Sequence, residues 1–263
     1  MEALVIESKK NATLSLVRSL QEKKYRRETG LFFLEGATLF FEATDAGLVP
    51  KTVVLSSSAG RELAEEERRR TEDTDARLLF ESEEIYKSVS AEQAPQGVLA
   101  VFSIDEAVAN AARLSGEGGR YILLEKIRDP GNVGAMLRSA AAFGYRGAIF
   151  VDCADLFNPK TVRACMGALF RLELTFCADL GEALDFARAR SLALYGTSPH
   201  TEKTIREADY SRPFALLFGN EGAGATDEAL AACDEVLTIP MEGMESLNAA
   251  CACAVALYES ARQ

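Results

Sequence analysis

Phe214-Ala215-Leu216-Leu217-Phe218-Gly219-Asn220-Glu221-Gly222-Ala223-Gly224 is the stretch that decides the fold. Its unbroken apolar run, of strand length, reads as a strand buried on both faces. The run ends in a glycine-rich turn, and Thr226 stands where it would cap a following helix. The same unit recurs on either side. Strands are predicted at 121–125, 148–152, 192–197 and 235–241, and helices at 133–143, 159–170, 181–190, 227–232 and 247–262. Apolar strands separated by helices form a mainly parallel sheet covered on both faces. Such a sheet takes its ligands at the carboxyl ends of its strands, where helices begin.

Upstream the pattern is shorter. Strands are predicted at 31–34, 52–55, 77–80 and 96–102, with helices at 37–46, 61–70 and 82–89. Together they make a small α/β domain over residues 1–104. Ser115-Gly116-Glu117-Gly118-Gly119 has linker composition, so 105–119 is expected to join this domain to a second one over 120–263.

Composition narrows the classes. With 48% hydrophobic and 26% charged residues among 263, the chain reads as globular rather than disordered. No apolar run approaches the roughly 18–20 residues of a membrane span. Met1-Glu2-Ala3-Leu4 lacks the start of a signal peptide, so a cytoplasmic location is expected. Six cysteines without a CxxC pair read as reduced, mostly buried thiols. The lone histidine, His200, excludes a histidine-rich metal site and is expected on a surface turn; no metal is expected. A net charge of -11 does not suit a broadly basic nucleic-acid binder. Yet Lys9, Lys10, Arg18, Lys23, Lys24, Arg26 and Arg27 crowd one segment against Glu22 alone, which leaves phosphate binding open beside the plainer reading of a solvated helix face.

Three strand ends carry more than a turn needs. In the first, Pro130-Gly131-Asn132-Val133-Gly134 precedes Arg138, with Asn132 a natural N-cap and Arg138 four residues past Gly134 on the same helix face. A glycine there costs the helix roughly 1 kcal/mol, which suggests close backbone approach. In the second, the glycine-rich turn contains Asn220-Glu221 but no Gly-Lys-Ser/Thr, so it is not a Walker A loop. In the third, Ile239-Pro240-Met241-Glu242-Gly243-Met244-Glu245-Ser246-Leu247-Asn248 runs into small residues from Ala249 to Ala254. Ser246 is the expected helix cap, and Asn248 has no evident structural purpose.

The order NxGxxxR, FGNEGxG, IPMxGxxSLN over residues 132–248 resembles the SpoU (TrmH) family of S-adenosylmethionine-dependent RNA ribose 2′-O-methyltransferases, in the SPOUT superfamily. The resemblance implies an α/β fold whose C-terminal parallel sheet carries a deep trefoil knot, where periodicity alone gives an ordinary doubly wound sheet. It implies a small N-terminal α/β domain like ribosomal-protein RNA-binding folds. It implies S-adenosylmethionine held around Gly219, Ile239, Met241 and Leu247, with Arg138 catalytic and Asn132, Glu221, Ser246 and Asn248 ordering the site. A guanidinium keeps its proton in proteins, so Arg138 is expected to stabilise an alkoxide rather than to act as a base. The resemblance implies a homodimer through the knot and the final helix, and an RNA substrate, ribosomal before transfer RNA. Lys23, Lys24, Arg26 and Arg27 are the residues expected to meet its phosphates. Two other readings stand beside it: a catalytically silent RNA-binding factor of this fold, and a nucleotide-dependent α/β enzyme.

Overall fold

The computed structural model describes residues 4–6, 11–57, 59, 77–115 and 119–262. The chain divides into two units, residues 1–110 with 157–163, and residues 111–156 with 164–263.

The first unit contains β1 (Leu4–Ile6), α1 (Ala12–Ser19), α2 (Lys23–Thr29), β2 (Leu31–Glu35), α3 (Ala37–Asp45), β3 (Thr52–Ser56), β4 (Arg77–Glu81), α4 (Glu83–Lys87) and β5 (Val98–Ser103). Its sheet runs β1-β4-β3-β5-β2, with β1 and β3 parallel to β4, and β5 antiparallel to β3 and β2. Leu14 and Val17 of α1 pack with Phe33, Val54, Tyr86 and Leu99 in its core. Neither α1 nor α2 was expected from periodicity. The only side chain α2 buries is a charged one, Arg26, so no apolar stripe marks it. The helix expected at 61–70, and Lys9 and Lys10, lie outside the described residues. Where 105–119 was expected as a linker, Ile104–Leu114 forms a helix, α5.

The second unit contains β6 (Arg120–Glu125), α6 (Pro130–Ala142), β7 (Gly147–Val151), α7 (Pro159–Cys165), a 3-10 turn (Ala168–Phe170), β8 (Glu173–Cys177), α8 (Leu180–Ala189), β9 (Ala193–Thr197), β10 (Phe214–Phe218), α9 (Asp227–Ala231), β11 (Glu235–Leu237) and α10 (Ala249–Ala261). The start of α7 groups with the first unit. All six strands are parallel, in the order β11-β9-β10-β6-β7-β8. Tyr121, Leu123, Ile149, Val151, Leu194, Ala215 and Leu217 alternate onto one face and pack under Ala183 and Ala187 of α8 and Ala229 of α9.

β8 escaped the sequence reading because it is an edge strand. Leu174 is its one buried residue, and Phe176 is exposed, so its apolar signal is thin. The helix expected at 159–170 is broken at Met166 and Gly167, both with positive φ, before the 3-10 turn. The strand expected at 235–241 stops at Leu237, before Pro240.

Two features of this topology create the site. β10 and β6 pair in register from Phe214↔Arg120 to Phe218↔Leu124, so the loops that follow them emerge side by side. After β11 at one edge, the chain returns to pack α10 on α6, the helix between β6 and β7. A helix so far displaced from its preceding strand is what a knotted return of the chain requires. Among the described residues no helix is long and apolar enough to cross a membrane.

Candidate active site

The turn after β6 begins with Lys126 in the left-handed conformation (φ 56°), which leaves its carbonyl free to accept the Asn220 side-chain amide at 3.0 Å. Asp129, not Asn132, caps α6: its carboxylate accepts the Asn132 amide at 2.9 Å, with Pro130 at the first helical position. The sequence expectation shifts by a turn because Asp-Pro outcompetes Asn-Val as a helix start. Asn132 is thereby released for another task.

That task is to hold Glu221. One carboxylate oxygen accepts the Asp129 amide and the Asn132 side-chain amide, both at 3.0 Å; the other accepts the Arg128 amide at 3.2 Å. Burial pushes this carboxyl up, but the donors from Asp129, Asn132 and Arg128 outweigh it and hold Glu221 below the ordinary glutamate range. Glu221 therefore ties the glycine-rich loop to the start of α6. Asn132 in turn accepts from Asn248 Nδ2 at 3.2 Å. Asn248 Oδ1 caps α10 by accepting the amides of Ala250 and Cys251 at 2.9 and 3.2 Å. Asn248, and not Ser246, is thus the helix cap, and its two ends serve the helix and Asn132 separately. All three expected strand ends meet in one chain, Asn248–Asn132–Glu221.

The glycine-rich loop folds back on itself. Asn220 Oδ1 accepts the amides of Gly222 and Ala223, both at 3.0 Å, and the Gly224 amide donates to the Asn220 carbonyl at 2.9 Å. Gly219 is obligatory here, because a Cβ would collide with the backbone of Gly224 and Ala225. A residue absent from the sequence reading completes the loop. Glu125, at the end of β6 and 2% exposed, accepts from the Thr226 amide at 2.9 Å and the Thr226 hydroxyl at 2.7 Å, while Thr226 caps α9. The one signal for it was a carboxylate at the end of an otherwise apolar strand.

The glycine-rich loop, with the loops after β9 and β11, lines an open cavity of about 450 Å³, within the range of small-molecule sites. Gly219, Ile239, Met241 and Leu247 line it, as do Glu221 and Ser246. Asn132 stands behind it through its bond to Glu221, and Asn248 through its bond to Asn132. His200, exposed on a bend as the sequence reading expected, also lines it. Asp227 and Glu245 add carboxylates, and among the described residues no lysine or arginine lines the cavity. Apolar walls with a negative lining fit a cationic, adenosine-bearing methyl donor and do not fit a polyphosphate. Arg138 is exposed on α6, six residues and about 9 Å of helix rise beyond Asn132. It makes no hydrogen bond or ion pair among the described residues.

Residues 119–258 match the family described as the SpoU rRNA methylases, and residues 11–100 match the MRM3-like substrate-binding domain. The chain belongs to the SpoU rRNA methylase family. It is an RNA 2′-O-methyltransferase that draws its methyl group from S-adenosylmethionine. The 23S rRNA (guanosine(2553)-2′-O)-methyltransferase RlmP of Bacillus subtilis is 32% identical over 96% of this chain and 97% of its own. The structure of AviRb from Streptomyces viridochromogenes in complex with AdoMet superposes with a TM-score of 0.85, at 29% identity, over 97% of this chain and 98% of that one. A tRNA (guanosine(18)-2′-O)-methyltransferase of Thermus thermophilus is 37% identical, but over 54% of this chain and 74% of its own.

One expected site residue of this methyltransferase is misassigned. Arg26 is buried, 2% exposed, and donates to the Leu20 carbonyl at 2.6 Å, so it is a structural pin and not an RNA contact. Arg18 is likewise engaged, donating to the Ser88 carbonyl at 3.1 Å and hydroxyl at 2.8 Å. Lys23, Lys24 and Arg27 remain exposed on α2. The six cysteines are free, but fewer are buried than expected: Cys165 and Cys253 are buried and Cys251 is exposed. Burial pushes the Cys153 and Cys165 thiols up to about 11 and Cys233 to about 12, which keeps them protonated and inert.

Proposed function

We propose that this methyltransferase acts on a ribose 2′-hydroxyl of 23S-type ribosomal RNA, with the cavity behind Glu221 holding the cofactor. The observation that carries the reading is that single cavity, in which Gly219, Ile239, Met241 and Leu247 meet Ser246 and three carboxylates without a lysine or arginine. Ribosomal RNA is favoured over transfer RNA because the RlmP relative matches both units, whereas the tRNA relative matches about half of the chain.

When bound, the cofactor supplies an electrophilic methyl group on a sulfonium. The chain's own work is positioning. Backbone groups of the loops after β10 and β11 hold the adenosine part, and Leu230, Leu237 and Met241 exclude water from it. Glu221, its oxygens filled by amides, fixes the glycine-rich loop against α6. Arg138, with no partner among the described residues to release, stabilises the developing 2′-alkoxide and holds the neighbouring phosphate; its guanidinium keeps its proton throughout.

The assembly is a homodimer. Cys251, Val255 and Tyr258 are exposed at helical spacing along α10, and Met244 and Leu247 are exposed on the loop before it. The enzyme works in the cytoplasm, where its free thiols stay reduced.

The test is methyl transfer from labelled S-adenosylmethionine to unmodified total RNA, followed by alkaline hydrolysis. Label in alkali-resistant dinucleotides, lost in Arg138→Ala, is the expected result. Label in ordinary mononucleotides, or near-native activity of Arg138→Lys, overturns the role given to the guanidinium fork.

A further inference from the structure

Helix α2 joins an exposed aromatic ring to its cations, and the charge reading does not use it. Tyr25 is 37% exposed, and its hydroxyl has no hydrogen-bond partner among the described residues. Lys24 Nζ sits 5.7 Å from the ring centroid, a cation–π distance. At about 100° per residue, Lys23 and Arg27 fall on one flank of the exposed surface, Tyr25 on the other and Lys24 between them. Arg26 is the residue turned inward. Glu28 offsets Lys24 weakly, at 3.9 Å between exposed groups. Cations on one flank and a ring on the other suit a strand whose phosphates and bases point apart. They do not suit a duplex, whose bases are already stacked inside it.

We infer that α2 grips unpaired RNA, with Lys23, Lys24 and Arg27 on phosphates and Tyr25 stacked on a base. The substrate is then an RNA with a single-stranded loop or bulge at the first unit. This rests on the RNA-methyltransferase reading and narrows its substrate class. Base–aromatic stacking is worth about 5- to 150-fold in affinity for one base.

The chain contains no tryptophan, so Tyr25→Trp places a sole tryptophan, excited selectively over the remaining tyrosines, at the contact. Oligo(A) is expected to quench its emission, with native affinity, and the oligo(A)·oligo(U) duplex is expected to leave it unchanged. Tyr25→Ala is expected to weaken oligo(A) binding at least 5-fold and duplex binding not at all. An unquenched tryptophan, native oligo(A) affinity in Tyr25→Ala, or an equal loss on duplex overturns the stacking. If the double reversal Lys23→Glu with Arg27→Glu weakens RNA binding while Tyr25→Ala does not, the phosphate contacts stand and the stacking falls. If neither variant changes RNA affinity, the whole assignment to α2 falls. In every variant S-adenosylhomocysteine should still raise the melting temperature. Loss of that shift in the native chain too would instead mark failure of the methyltransferase reading.

Discussion

Gly219→Ala isolates the geometry on which the cavity depends. A Cβ on residue 219 would overlap three backbone atoms, the nitrogen and Cα of Ala225 and the carbonyl carbon of Gly224. Carbon atoms pack at about 3.5–4.0 Å, so the loop would have to move by more than about 1 Å. Backbone cannot swing aside as a side chain does, and overpacking of this kind costs about 1–3 kcal/mol. For a domain of this size, a loss of about 2 kcal/mol lowers the melting temperature by roughly 4–8 °C. The displaced loop lines the cavity, so cofactor binding should fall with stability. S-adenosylhomocysteine at about 100 times its Kd stabilises a protein by about 2.7 kcal/mol, and most of that should vanish in Gly219→Ala. Gly222→Ala is the control, because its Cβ would meet nothing nearer than Asn220 Oδ1 at 3.7 Å. Thermal melts of the three proteins with and without the ligand decide the matter. If Gly219→Ala melts within a degree of the native chain and keeps its ligand shift, the loop does not close on residue 219 as described.

Asn248→Ala removes both the α10 cap and the amide given to Asn132, at about 1 kcal/mol, whereas Asn248→Asp keeps the cap and loses only the amide. Asp should therefore melt like the native chain yet lose methyl transfer; native activity in Asp would deny the Asn248–Asn132 bond a role. Because Glu221 is held below its ordinary 4.5, its contribution is fully present above that pH and is lost as pH falls through the depressed value. Glu221→Gln should lower stability at neutral pH and flatten the acid limb below pH 4.5 in melts across pH; parallel limbs would refute the clamp. Val255→Glu, on an exposed position of α10, should convert a dimer to a monomer in sedimentation velocity, and a native chain sedimenting as a monomer at micromolar concentration would remove the dimer.

The parallel sheet was legible because its central strands are apolar throughout and its helices end on ordinary signals. β8 was not, since an edge strand with an exposed Phe176 alternates too weakly over five residues. α2 was not, since a helix that buries only Arg26 has no apolar period to read. The residues of the three strand ends could be picked out from sequence, but their division of labour could not. Whether Asp129 or Asn132 caps α6 depends on a proline that fixes the first helical turn, and on Glu221, 89 residues away in sequence, to claim the freed side chain. Glu125 was invisible for a related reason: its partner Thr226 lies 101 residues on, and only the pairing of β6 with β10 brings them together. Contacts of this separation are fixed by strand order, which the local pattern does not encode.

The pattern of engagement bears on which residue does the chemistry. Asn132, Glu221 and Asn248 are polar, adjacent to the cavity and spent on one another, and Glu125 is spent on Thr226. A group whose hydrogen bonds are filled by the protein contributes rigidity, and it would have to break those bonds to follow a charge developing on a substrate. Arg138 is the opposite case, a permanent cation on a helix held at its first turn by Asp129 and Glu221, with no partner among the described residues. Holding the helix by its first turn and leaving the cation about 1.7 turns beyond Asn132 unengaged fixes where the charge is without neutralising it. That is the condition for electrostatic stabilisation of an alkoxide. The chain's return to α10 adds to that hold: Asn132 is engaged by Glu221 on one side and Asn248 on the other, while Val133, Met136, Leu137 and Ala140 bury the inner face of the helix that carries Arg138.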